Sequence, residues 1–182
     1  VHALGMDFVG QVVKIDDDTI SIEVFGNTQD FSLDDIVIKF EEKPLAIPLN
    51  ENILGRTFDG LARPIDNGGE IYAEKTYPVE GEPLNPVARE YPRDFIQTGI
   101  SAIDTLTTLI RGQKLPIFSG YGLSHNQIAA QIVRQAKLKT DEDFAFVFAA
   151  MGIKKDEAMF FEDAFNKAGV RDKVVMLSLI HI

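Results

Sequence analysis

The sequence predicts an all-β N-terminal segment followed by an α/β domain with a parallel sheet. Three observations lead there. Thr19 to Val24 alternates strictly, with Ile20, Ile22 and Val24 on one face and Thr19, Ser21 and Glu23 on the other. Phe144-Ala145-Phe146-Val147-Phe148-Ala149-Ala150 is a continuous apolar run, the pattern of a parallel strand buried on both faces. Helical-period stretches lie on either side of that run, which gives the strand–helix–strand rhythm of parallel sheets.

Taken in order, residues 1–43 form the β segment. Phe8 to Ile15 is a strand candidate that ends in the acidic turn Asp16-Asp17-Asp18. That turn reads as solvated, because a calcium loop needs glycine and a distal glutamate at fixed spacing. Thr19–Val24 is its hairpin partner, Gly26-Asn27 ends the hairpin, and Ile36-Val37-Ile38-Lys39-Phe40 supplies another strand. Residues 44–92 hold seven of the eight prolines, a density that forbids long helices and central strands and predicts an extended connector. Within it, Asp66-Asn67-Gly68-Gly69 is a tight turn.

Residues 93–182 are the α/β part. Ser101 and Asp104 can cap a helix carrying Ile103, Leu106 and Ile110 at 3,4 spacing. Leu115-Pro116-Ile117-Phe118 is a short apolar run suited to a strand. A helix over 127–138 follows, with Ile128, Ala129, Ile132, Val133 and Ala136 on one face. Beyond the strand at 144–150, a second helix spans roughly 156–168, with Ala158, Phe161, Phe165 and Ala168 at 3,4,3 spacing and Gly169 as its stop. A third strand starts near Lys173. The phenylalanines of this part read as core, since a base-stacking platform would interleave basic residues among them.

Composition narrows the function classes. A net charge of -10 and a pI near 4.7 argue against general affinity for nucleic acid or anionic lipid. Cysteine is absent, which excludes disulfides and cysteine–zinc sites, and His2, His125 and His181 are too scattered for a histidine-based metal site. No apolar run approaches the ~20 residues of a membrane span, and the N-terminus lacks the pattern of a signal peptide. Val1 is not an initiator methionine, and the chain stops within an apolar run at Ile182. It therefore reads as a piece cut from a longer protein at both ends.

The stretch Ser119-Gly120-Tyr121-Gly122-Leu123-Ser124-His125-Asn126 carries the chemistry. It has the framework of a phosphate-binding loop, G-x-x-x-x-G-K-[ST], between an apolar run and a helix. Its reactive residues are replaced. Ser124 stands for the last glycine, His125 for the lysine that reaches the β/γ-phosphates, and Asn126 for the hydroxyl that holds Mg²⁺. An ordinary histidine, with a pKa of ~6.5, is mostly neutral at pH 7. A neutral imidazole cannot offset the charge that builds on a transferring phosphoryl group. The same residues also describe an ordinary glycine-containing turn with a solvated histidine, and on spacing alone both readings stand.

Longer stretches carry a resemblance. Gly55-Arg56-Thr57-Phe58-Asp59-Gly60 with Arg63-Pro64-Ile65-Asp66 resembles the turn region of rotary ATPase head subunits. Phe95 to Asp104, Arg111 to Ser119, Gly122-Leu123-Ser124-His125-Asn126 and Phe148-Ala149-Ala150-Met151-Gly152-Ile153 are similar to the beta chains of the V/A-type ATPases and ATP synthases, their non-catalytic head subunits. That family usually has proline at the position of Ser124. Its catalytic sibling in the same head has an intact phosphate loop and a glutamate around the position of Met151.

The resemblance runs from about residue 8 to 177. It implies a partial β-barrel over 1–43 and a nucleotide-binding, phosphate-loop-like α/β domain over 93–182, truncated. It implies a regulatory subunit without catalytic residues of its own. Such subunits alternate with the catalytic ones in a hetero-hexamer, contact central and peripheral stalks, and couple ATP synthesis or hydrolysis to H⁺ or Na⁺ transport. The head would sit peripherally at the cytoplasmic face of a membrane, touching it only through the complex. ATP or ADP with Mg²⁺ would lie at the interface with the catalytic neighbour, with no cofactor firmly held by this chain. Gly120, Gly122, Ser124, His125 and Asn126 would be the nucleotide-facing degenerate loop. The family's second acidic motif, the arginine it offers to the neighbouring site and its C-terminal helical domain would lie beyond Ile182, and Ser178–Ile182 departs from the family pattern.

Two other readings remain. One is a stand-alone ATP hydrolase in which His125 replaces the lysine, although the His125-Asn126 pair counts against it. The other is a binding module that links the head to further partners. Arg56, Arg63, Arg89, Arg93 and Arg111 can each contact a neighbour or a phosphate, but a solvated or locally paired side chain is favoured and none is assigned a role.

Overall fold

The computed structural model describes residues 1–29, 31–41, 44–81, 83–91, 93–138 and 142–178. They form two compact units, one spanning Val1–Ala46 and one beginning at Ile47. Among the described residues no helix is long and apolar enough to cross a membrane.

The first unit contains short antiparallel pairs. β1 (His2–Ala3) turns back on β2 (Met6–Asp7) through Leu4 and Gly5, both at positive φ. β3 (Gly10–Asp16) pairs with β4 (Thr19–Val24) from Gly10↔Val24 to Asp16↔Thr19, with an irregularity between Val12 and Lys14. The acidic turn is local chemistry, with Lys14 Nζ 2.7 Å from Asp16 Oδ2. The strand expected over Ile36–Phe40 is not formed. A single turn at Leu33–Asp35 leads instead to one backbone bridge between Val37 and His2. Nor is a closed barrel formed among the described residues, which hold small separate sheets. Closure needs each strand hydrogen-bonded on both sides. The hairpin has one partner per strand, and Val13 and Ile15 are 64% and 72% exposed.

β5 (Ala46–Pro48) starts on the last residue of the first unit, and the second unit continues with β6 (Thr57–Phe58), β7 (Thr76–Pro78), β8 (Ile96–Gln97), β9 (Lys137–Leu138), β10 (Phe146–Ala150) and β11 (Val174–Ser178). The helices are α1 (Ser101–Leu106), α2 (His125–Gln135) and α3 (Lys155–Ala168). β10 and β11 run parallel in the register Phe146↔Val174 to Ala150↔Ser178, joined by α3. The apolar run and the following helix thus form the strand–helix–strand unit their patterns predict. Gly169 ends α3 in the left-handed conformation, at φ 67°, with its N–H returned to the helix carbonyls. The residues at 179–182 lie outside the described residues.

The other edge of β11 is taken, in parallel, by β6. The proline-rich stretch is therefore more than a connector. Residues 55–58 lack proline, so their N–H groups are free to pair, and Gly55 N–H donates to Val174 O at 3.1 Å. A fork of charges holds this edge. Arg56 donates to both carboxylate oxygens of Asp66, with Nη2 2.7 Å from Oδ1, and also to Gly69 O at 2.8 Å. Asp66 also accepts the N–H groups of Thr57 and Gly68. A Cβ on Gly68 would meet the guanidinium at 2.5–2.7 Å, so a larger residue there would push Arg56 out of its fork with Asp66.

The Arg56 hydrogen bonds and those two amides hold the Asp66 carboxyl well below the usual carboxylate range. Because its folded pKa is depressed, Asp66 contributes stability that is present above its ordinary value of 3.8 and is lost as pH falls further towards the folded value. We expect Asp66→Asn to flatten the loss of stability below about pH 4 in urea titrations. An unchanged acid slope would show that the pair is not linked to folding.

The core lies between this sheet and the helices: Ala130 of α2, Phe161 and Phe165 of α3, and Val174 and Met176 of β11. α1 departs from its predicted form. Ser101 does not cap it, because Ile100 holds the cap position. Asp104 instead reaches back, accepting Thr98 Oγ1–H at 2.7 Å, Thr98 N–H at 2.9 Å and Gly99 N–H at 3.0 Å. Leu106 is 82% exposed, so the predicted apolar face is only partly used.

The strand expected at Leu115–Phe118 is also absent. This segment is irregular, Pro116 offers no N–H to a ladder, and Phe118 is 91% exposed.

Candidate functional site

The loop at 119–126 is positioned by the helix that follows it. α2 buries Ala130 and packs Ala129 and Val133 on the core, which fixes its first turn beside that of α3. α3 starts a few residues after β10 ends, so the loop lies near the carboxyl end of that strand.

Of the two glycines, Gly122 is demanded by the backbone, at φ +81°. Gly120 has an ordinary φ, and a Cβ there would touch only the Leu123 side chain at 3.7 Å. The amides fold onto the loop itself. Leu123 N–H donates to Gly120 O at 3.3 Å and His125 N–H to Leu123 O at 3.0 Å. Gln127 and Ile128 N–H both donate to Ser124 O, at 3.1 and 3.2 Å. An anion cradle presents converging unpaired amides, and here several of them are already committed.

The substituted residues point in different directions. His125 Nδ1 lies 2.9 Å from Ser119 Oγ and 3.1 Å from the Leu123 carbonyl oxygen. A bare Nδ1 would face the carbonyl lone pairs, so the Nδ1–H tautomer suits this geometry, and the ring closes the loop as a brace. Ser124 makes no side-chain cap to α2. Asn126 turns to α3, its Nδ2 donating to Glu157 Oε1 at 3.2 Å. Glu157 Oε2 also accepts Lys154 N–H at 2.9 Å, closing the first turn of α3. The Lys154 amide and then the Asn126 amide hold the Glu157 carboxyl below its ordinary value, so it is ionised at neutral pH.

A groove of about 340 Å³ opens between the two first turns, lined by Ser124, Asn126, Asp156, Glu157 and Phe160, among others. Its charged lining is acidic. Among the described residues, no group of three or more acidic or histidine side chains is placed to hold a metal ion.

The loop thus brings together Ser119, His125 and Leu123, while Asn126 belongs to a second contact with α3. Sequence reasoning missed Glu157. Its signal was available, since a glutamate at the third position of a helix is the acidic half of a capping box. Of the arginines, Arg56 is locally paired with Asp66, and Arg111 Nη1 forms an exposed ion pair with Glu142 at 3.2 Å.

Comparison with known proteins gives the family of the chain. Residues 99–179 match the ATP synthase alpha/beta family, nucleotide-binding domain. Over 172 residues, 93% of this chain, the sequence is 56% identical to V-type ATP synthase beta chain 2 of Clostridium tetani. It is 54% identical over 168 residues to the V-type ATP synthase beta chain of Halothermothrix orenii, and 51% identical over 171 residues to that of Thermotoga neapolitana. The chain belongs to the V-type ATP synthase beta-chain family. It spans 37% of the Clostridium protein and 36% of the Halothermothrix one. The matched stretch contains the parallel pair β10–β11 and the glycine-bearing loop ahead of α2, while β6, the third strand of that sheet, lies before it.

Proposed function

We propose that this chain is part of the non-catalytic, regulatory head subunit of a rotary V/A-type ATPase or ATP synthase. Copies of it alternate with the catalytic subunits in the head ring and contact the central and peripheral stalks. The complex couples ATP synthesis or hydrolysis to H⁺ or Na⁺ movement, with the head peripheral to the membrane. Residues 1–43 are part of an N-terminal β-barrel of the longer protein. Gly120, Gly122, Ser124, His125 and Asn126 face the nucleotide at the interface with the catalytic neighbour, which supplies the chemistry to Mg²⁺-ATP.

One observation carries the reading. The residues at the lysine and hydroxyl positions are engaged elsewhere, His125 with Ser119 and Leu123 and Asn126 with Glu157. Phosphoryl transfer is catalysed almost entirely by positioning and charge stabilisation, and this loop lacks the lysine ammonium that contributes to both. The thioether of Met151 cannot accept a proton or orient an attacking water. The stand-alone hydrolase reading finds no support in this geometry.

The test is Mg²⁺-ATP hydrolysis by the complete protein, alone and mixed with its catalytic partner. We expect no turnover alone and strong turnover in the mixture. Turnover alone that His125→Ala abolishes would overturn the proposal and make the chain an enzyme in its own right.

A further inference from the structure

We propose that Glu157 sets the weak hold of this loop on nucleotide phosphates, as a positioning and charge-excluding carboxylate. The inference rests on the reading above, in which the loop faces nucleotide, and it names the residue that regulates that site. Asn126 occupies the position from which a loop of this kind engages hydrated Mg²⁺, and its amide is turned to Glu157 Oε1 at 3.2 Å. The second carboxylate oxygen is anchored by the Lys154 amide at 2.9 Å, so the group is fixed rather than free to swing away.

Two consequences follow from that placement. The Asn126 side chain is withdrawn from the phosphate side of the loop. An ionised carboxylate, with Asp156 beside it, also faces the groove where phosphate oxygens would approach the first turn of α2. Helix N-terminal amides attract anions with partial charges of about half a unit, so a full negative charge at the same mouth opposes them. The His125 ring is tied to the loop itself, its Nδ1 at 2.9 Å from Ser119 Oγ and 3.1 Å from Leu123 O, and so does not extend to the phosphate side as a lysine would.

The isosteric exchange Glu157→Gln separates charge from structure. Glutamine keeps one oxygen for the Lys154 N–H and turns its NH2 to Asn126, whose amide can flip to accept it through Oδ1, whereas Glu157→Ala removes the cap. With the complete protein and a fluorescent Mg²⁺-ATP analogue as probe, we expect Glu157→Gln to tighten binding roughly five- to tenfold at low ionic strength. The gain should shrink as salt screens the groove over a Debye length of ~10 Å at 0.1 M. The melting temperature should stay unchanged for Glu157→Gln and fall for Glu157→Ala. An affinity for Glu157→Gln that is equal to or weaker than the parent's would overturn the proposal, as would a gain that does not respond to salt. ATP turnover by the unmixed protein is scored separately and bears only on the non-catalytic reading.

Discussion

Truncating Phe165 to alanine is expected to destabilise the second unit by roughly 3–5 kcal/mol, the range for deleting a buried aromatic. The ring is fully buried and sits where three elements meet. Its centroid is 5.4 Å from that of Phe148 on β10 and 6.1 Å from that of Phe161 one turn earlier on α3. Val174 and Met176 of β11 complete the same cluster. These neighbours belong to different elements, so they cannot all close on the void at once, and the cavity penalty adds to the lost transfer energy. Domains of this class are stable by only ~5–15 kcal/mol, so the loss is a large fraction of the whole. Urea unfolding of the complete protein measures it, with Phe160→Ala as the control. Phe160 packs edge-on to Phe161 but is 39% exposed, and should cost far less. Equal losses at the two positions would mean that the core is not centred on Phe165.

That core was legible because its signals are local and redundant. Phe161 and Phe165 are spaced to share one helical face, Gly169 marks the stop, and the run at 144–150 has no polar residue to place on a solvated face. Each signal holds without knowledge of any partner. The misses share the opposite property. Whether Leu115–Phe118 or Ile36–Phe40 becomes a strand depends on a neighbour to pair with, and β propensity alone does not supply one. The same dependence works in reverse at Thr57-Phe58. Two residues in a proline-rich stretch become a strand because β11 offers them an open edge.

The loop was legible as a framework and illegible as a set of contacts. Its glycine spacing marks the turn, yet only Gly122 proves to need its conformation. That His125 braces Ser119 follows from six residues of separation across an irregular turn, which no periodicity encodes. The Asn126–Glu157 contact joins residues 31 apart on two helices and needs the packed core to exist.

On the function proposed above, converting the loop to the full phosphate-binding motif is expected to tighten nucleotide binding without producing catalysis. In Ser124→Gly/His125→Lys/Asn126→Thr, an ammonium replaces a braced imidazole and a hydroxyl replaces an amide turned towards α3. Charge-assisted hydrogen bonds are about twice as strong as neutral ones, and ~1.4 kcal/mol is tenfold in affinity. The triple variant should therefore bind Mg²⁺-ATP at least about tenfold more tightly. The gain is tempered by a cation at a helix N-terminus, which costs ~0.3–1 kcal/mol against the dipole, and by Glu157, which would draw part of the new charge to itself. Hydrolysis by the unmixed protein should stay at background. The expectation rests on the strand end, where the segment after β10 offers Met151, 64% exposed and chemically inert to protons, and on Glu157 being held by the Lys154 amide. Titration with a fluorescent Mg²⁺-ATP analogue reads the first claim, and phosphate release under single-turnover conditions reads the second. Tighter binding with no release would locate the loss of catalysis in two places, the loop and the strand end beside it. Release above background would leave the loop as the whole of the difference, and unchanged binding would show that charge at residue 125 never limited it.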